Sequence, residues 1–224
     1  MEYYRLLNQE VVRRVGSTQS AQLVLSSLNF ADLLAWQRNS DPSVLQTAFL
    51  AEGRRLMAAG CDGFIIASHT LSWLGDHIQN ELGLEHVSLY DSLFSHLQRV
   101  GARKIGLIGT RYTMGDALYR EHYESAGFKL ITPDEPHFTS VAKVVFKELV
   151  HGVFKDESRK LFFRCFDHLA EKGADAIVLG CTEIGLLVRE REWPARDAPA
   201  RSSIPLVDLI ETHVGETVDW MLRE

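Results

Sequence analysis

The stretch that decides the reading is Gly173-Ala174-Asp175-Ala176-Ile177-Val178-Leu179-Gly180-Cys181-Thr182-Glu183. A Gly-x-Asp start leads into an unbroken apolar run, the signature of a parallel strand buried on both faces. The run stops at a glycine, a cysteine and two polar residues. In open α/β sheets the carboxyl ends of such strands are where ligands bind. A second copy lies upstream at Gly60-Cys61-Asp62-Gly63-Phe64-Ile65-Ile66-Ala67-Ser68-His69-Thr70. Aligning the copies sets Ser68 against Cys181, nearly half a chain apart. The repeat predicts two similar lobes whose Ser68 and Cys181 face each other across one small-molecule site.

Working outward, apolar runs alternate with helical periodicity. Helices are expected over 1–15, 44–59, 71–82, 91–100, 111–126, 141–149, 157–171 and 209–222. Strands are expected over 21–28, 63–67, 87–89, 104–109, 129–131, 176–179 and 204–207, with 190–203 a polar loop. This alternation predicts an α/β protein of parallel sheets flanked by helices. The lobes are expected at 1–98 plus 209–224 and at 99–208. The strand around Ile105 opens the second half well before Cys181. Counting back equally far from Ser68 runs off the start of the chain, so the first lobe is expected to lack its opening strand.

The totals narrow the function. The chain has 224 residues, 46% of them hydrophobic and 24% charged, and a net charge of −6. That charge, with no basic cluster, argues against nucleic acid. No apolar run approaches the ~20 residues of a membrane span. Nothing after Met1 resembles a signal peptide. Cys61, Cys165 and Cys181 lack framework spacing and suit free thiols in a reducing cytoplasm. The nine histidines form no HExxH and the cysteines no Cys-x-x-Cys, so no metal is expected.

A residue between a strand end and a helix start meets unpaired backbone N–H groups and a positive dipole end. A cysteine there is expected to fall below its free pKa of about 8.5. Thr70, Thr110, Thr113 and Thr182 add hydroxyls at matching strand ends. Such a site can hold a carboxylate and place a base beside its α-carbon. Two of them facing each other suit proton removal and return on opposite faces of one carbon. Serine is a far weaker acid than a thiol, so Ser68 needs a neighbour to share its proton, either His69 or water. The two directions are then expected to differ in rate. Taken singly, a cysteine is more often core than nucleophile, and a serine at a helix start more often a cap. Cys61 and Cys165 are read as structural; the repeat is what singles out Ser68 and Cys181.

At Gly180-Cys181-Thr182-Glu183-Ile184 the sequence resembles the Asp/Glu/hydantoin racemase superfamily. Gly109-Thr110-Arg111-Tyr112-Thr113-Met114 and Glu2-Tyr3-Tyr4-Arg5 narrow the likeness to aspartate/glutamate racemases. Gln37-Arg38 and Gly185-Leu186-Leu187-Val188 make it most similar to the L-aspartate/glutamate-specific branch. The resemblance implies a cofactor-independent, PLP-independent amino-acid racemase with Cys181 as one catalytic acid/base. The first family motif is usually Cys-Asn-Thr and here reads Ser68-His69-Thr70; the L-specific branch also carries a hydroxyl residue there. By resemblance, Thr70, Thr113 and Thr182 would hold the α-carboxylate, His69 stands at a position that helps bind it, and Gln37 or Arg38 would hold the distal one; Thr110 is a further substrate-binding candidate. Glu183 and His213 would support the site. A homodimer is expected, with the first helix and the region near Trp36 as its interface. Two alternatives stand beside the racemase: an arylmalonate-decarboxylase-like enzyme, which needs only Cys181, and a vestigial amino-acid-binding protein.

Overall fold

The computed structural model describes residues 2–38, 42–188 and 204–223. In chain order the elements are α1 (Glu2–Val15), α2 (Phe30–Arg38), α3 (Pro42–Ala58), β1 (Gly63–Phe64), α4 (Leu74–Leu82), β2 (Glu85–His86) and α5 (Leu89–Arg99). Then come β3 (Lys104–Gly109), α6 (Arg111–Gly115), α7 (Ala117–Ser125), β4 (Lys129–Ile131), α8 (His137–Lys147), a 3₁₀ turn at Leu149–His151 and α9 (Asp156–Glu171). The described chain ends with β5 (Ala176–Gly180), α10 (Thr182–Val188), β6 (Leu206–Asp208) and α11 (Leu209–Met221). The expected 190–203 loop lies outside the described residues.

The fold is α/β with parallel sheets flanked by helices, as the alternation predicts. Two compact units are present. One comprises Met1–Ala67, Leu71–Ser92 and His213–Glu224; the other comprises Ser68–Thr70 and Leu93–Thr212.

The second unit is built on the parallel sheet β4-β3-β5-β6. Every residue of β5 is buried, as its unbroken apolar run requires. Ile177 and Leu179 join Phe162, Phe166 and Leu169 of α9, Val141 and Val145 of α8, and Ile184 and Leu187 of α10 in one core. Val178, alternating to the other face, is also fully buried, as are Ile105 and Leu107 of β3. The Asp of the Gly-x-Asp motif has a clear task. Asp175 accepts hydrogen bonds from the backbone N–H groups of Arg103 and Lys104 at 3.0–3.1 Å, tying the entry of β5 to that of β3. Gly173, at φ +87°, makes the reversal out of α9 that brings Asp175 there.

The first unit carries the two-stranded parallel sheet β1-β2. Its core gathers Leu45 and Phe49 of α3, Phe64 and Ile66, and Leu74 and Ile78 of α4. Residues 21–28, expected as a strand, form none. β-structure requires a hydrogen-bonded neighbour, and among the described residues the sheet of this unit is β1 with β2; Val24 and Leu25 face outward, 51% and 64% exposed. The single helix expected over 111–126 is two. Asp116 is extended, closes α6 and caps α7 by accepting from the Leu118 N–H at 3.0 Å.

Candidate active site

The register of β3 against β5 builds the site. Gly109 pairs with Gly180, so the two strands end level. Thr110 and Cys181 therefore leave neighbouring strands side by side. Glycine is required at both ends. A Cβ on Gly109 would lie 2.6 Å from Thr113 Oγ1 and 3.0 Å from the Gly180 carbonyl oxygen; one on Gly180 would lie 2.7 Å from Leu107 Cδ1 and 3.1 Å from the Ile108 carbonyl oxygen.

The Ser68-His69-Thr70 turn belongs to this same unit. His69 Nδ1 lies 3.2 Å from the Gly180 carbonyl oxygen. A carbonyl only accepts, so the Nδ1 of His69 carries the proton. The ring is 3% exposed, and burial lowers its pKa to about 4, against the pull of Gly180 and with a smaller push from His122. His69 is thus a neutral clamp on β5. This contact uses Nδ1 alone, so proton sharing with Ser68 would fall to the other ring nitrogen, Nε2. Ser68 itself is half-buried.

Thr70 reaches the next strand, its Oγ1 lying 3.5 Å from Thr110 Oγ1. Thr110 caps α6 by accepting from the Thr113 N–H at 3.2 Å. Thr113 Oγ1 lies 3.2 Å from Thr110 Oγ1 and donates to the Thr110 carbonyl at 3.1 Å. Three threonine hydroxyls therefore line up beside the strand ends. Thr113 is buried, whereas Thr70 and Thr110 are half-buried.

On the β5 side, Glu183 organises its neighbours. Its Oε2 accepts from Cys181 Sγ at 3.0 Å and from Thr182 Oγ1 at 2.5 Å. The Thr182 hydroxyl is thereby committed to Glu183. Burial pushes the Cys181 thiol well up, the Glu183 charge and hydrogen bond add to this, and the Glu183 and Ile184 backbone N–H groups oppose it. The expected lowering of the thiol is overturned: backbone groups do favour the thiolate, but desolvation and an adjacent carboxylate outweigh them. Cys181 rests as a thiol donating to a carboxylate. Cys165, by contrast, is fully buried in the core, and burial raises it to about 12.

The remaining expected site residues lie in the first unit. Gln37 is half-buried on α2; the Arg38 side chain lies outside the described residues. His213 is fully buried. Its Nδ1 lies 2.9 Å from the Tyr3 hydroxyl and its Nε2 2.8 Å from the Val87 carbonyl oxygen. The carbonyl fixes the proton on Nε2, so the Tyr3 hydroxyl donates to Nδ1. Both ring nitrogens are committed within that unit, and burial lowers the ring to about 4.

One contributor escapes sequence reading. Tyr119 of α7 donates its hydroxyl to the Thr70 carbonyl at 2.6 Å, and no spacing or motif links these positions. Among the described residues no helix is long and apolar enough to cross a membrane.

Known proteins agree with this architecture. A structure from Yersinia pestis, a candidate Asp/Glu racemase, is 30% identical with a TM-score of 0.85, covering 99% of this chain and 93% of that one. An aspartate racemase homologue from Pyrococcus horikoshii is 22% identical with a TM-score of 0.80, over 99% and 93%. Arylmalonate decarboxylase is more distant: 14% identical, TM-score 0.52, over 81% and 77%. The model of the Asp/Glu/hydantoin racemase family matches residues 1–217. With strand ends, threonines and thiol arranged as described, the chain belongs to the Asp/Glu/hydantoin racemase family.

Proposed function

We propose that the protein racemises a small acidic amino acid, aspartate or glutamate, by moving the α-proton between Cys181 and Ser68 without a cofactor. The observation that carries this reading is the Gly109–Gly180 register together with the His69–Gly180 contact. These bring the residues next to both proposed acid/base groups to one set of strand ends.

The Cys181 thiol, held protonated beside Glu183, is poised to give a proton to a carbanion. Glu183 is the acceptor for that proton when the thiol must act as a base, so the pair works as one unit. A substrate ammonium near Glu183 would offset its charge and ease thiolate formation. Ser68 serves the opposite face of the carbon. The partner for the Ser68 proton is His69, through Nε2, or water. The two catalytic groups differ in acidity, so kcat differs between directions. Thr70 and Thr110 hold the α-carboxylate, their hydroxyl protons having the freedom that those of Thr113 and Thr182 lack. Gln37 and Arg38 are proposed for the distal carboxylate. His213 is proposed as a packing residue of the first unit.

A second reading is favoured by the same thiol. A single protonated cysteine suffices to quench the carbanion left by decarboxylation of a malonate. One experiment separates the two. L- and D-aspartate and glutamate are incubated in D₂O with wild type and Cys181→Ala, and the α-proton signal is followed. Exchange that disappears in the variant supports racemisation. Release of CO₂ from arylmalonates without amino-acid exchange selects the decarboxylase.

A further inference from the structure

We propose that Tyr119 is a positioning residue of the reaction, holding the Ser68-His69-Thr70 turn against the ends of β3 and β5; the inference rests on the racemase reading above. The turn lies outside both sheets, so side-chain bonds must fix it. Two are present. His69 Nδ1 donates to the Gly180 carbonyl, and the Tyr119 hydroxyl donates to the Thr70 carbonyl at 2.6 Å, shorter than most hydroxyl–carbonyl bonds. The Tyr119 ring also stands edge-on to the His69 imidazole, with centroids 5.8 Å apart and planes at 72°. Tyr123, one turn on, stands near the same imidazole at 6.5 Å. Tyr119 thus bonds one residue of the turn and packs on another, and Ser68 is next in sequence to both contacts.

The bland alternative is a tyrosine that fills space on α7. It is 4% exposed, as a core ring would be. A space-filling ring, however, needs no hydroxyl, and a buried hydroxyl is costly unless it is bonded. Here the hydroxyl bonds the segment that carries Ser68, one of the two proposed catalytic residues. Displacing a reacting group by even 1 Å is expected to slow proton transfer strongly. The consequence is selective, because Ser68 hangs on the turn, whereas Cys181 is anchored by β5.

The test is Tyr119→Phe in the full chain, with two readouts. Amide hydrogen exchange of residues 68–71 is expected to speed by about three- to tenfold, the worth of one hydrogen bond, with β3 and β5 unchanged. The α-deuterium isotope effect on kcat, measured separately from L- and D-aspartate, is expected to rise for one enantiomer only. kcat/KM falls equally in both directions, since the enantiomers have equal free energy. p-Aminophenylalanine at position 119 restores a donor and is expected to recover part of both readouts; should Tyr119→Phe fail to fold, this residue is compared directly with tyrosine. Unchanged exchange at 68–71, or isotope effects unchanged from both enantiomers, overturns the proposal. Failure of the racemase reading shows separately, as α-proton exchange that survives Cys181→Ala.

Discussion

Replacing Glu183 by glutamine removes a negative charge that accepts a hydrogen bond from the Cys181 sulfur at 3.0 Å while keeping the side chain's shape. Two unit charges at that spacing interact by about 5 kcal/mol at an effective dielectric of ~20. Glu183 is half-buried, its charge is spread over two oxygens, and Thr182 already donates to one of them. Solvent screening and that sharing reduce the figure to about 1–2 kcal/mol, or roughly a tenfold gain in thiolate. The assay is alkylation of Cys181 by iodoacetamide across pH. A Cys61→Ser background removes the other half-buried thiol; Cys165 is fully buried. Glu183→Gln is expected to raise the alkylation rate at pH 8 by about tenfold and to lower the midpoint of its pH profile. α-Proton exchange is expected to fall in the same protein, since glutamine cannot take a proton from sulfur. A thiol no more reactive in Glu183→Gln than in wild type refutes the reasoning, for then Glu183 does not hold Cys181 protonated.

Three further predictions follow from the same geometry. Gly109→Ala drives a methyl group against Thr113 Oγ1 and the Gly180 carbonyl; it is expected to cost about 1–3 kcal/mol of stability, read as a lower urea midpoint, and to lower activity beyond the loss of folded protein. Thr110→Val removes the α6 cap and the hydroxyl beside Thr70; it is expected to cost about 1 kcal/mol and to raise KM more than it lowers kcat. Acid unfolding should begin early. His69 and His213 are each held at about 4 when folded, so below the unfolded value of about 6.5 the unfolded chain binds more protons and stability falls as pH drops from 6.5 to 4. Each ring accounts for at most about 3 kcal/mol, and a urea midpoint that does not fall between pH 7 and pH 5 contradicts both assignments.

The sheet that carries the site was legible because its strands state their environment. The run Ala176–Leu179 has no polar residue, and its short length between Gly173 and Gly180 reads as a strand covered on both faces. Residues 21–28 carry an equally strand-like pattern and form no strand, because pairing is a property of two segments and a sequence shows only one. The break at Asp116 was missed for a related reason. An aspartate inside a helical pattern reads as a tolerated polar position until its carboxylate is seen capping the next helix.

The site divides along the same line. That Cys181 follows directly on a strand end could be read from its motif, since position along a strand is local; Ser68, expected to follow a strand over 63–67, lies well beyond β1, which ends at Phe64. The charge state of Cys181 could not. A helix start argues for a thiolate and a neighbouring carboxylate argues against it, and only the distance from Sγ to Glu183 decides between them. The same holds for His69. In sequence it adjoins Ser68 and looks like its proton partner; in space its donor nitrogen points to Gly180. Adjacent side chains at a turn diverge, so a histidine next to a serine is as well placed to anchor the turn as to share its proton. Here the carbonyl contact shows the anchor, made through Nδ1; sharing the Ser68 proton would be a separate task for Nε2. A further hold on the turn comes from Tyr119, 49 positions away in sequence, whose hydroxyl reaches it from α7.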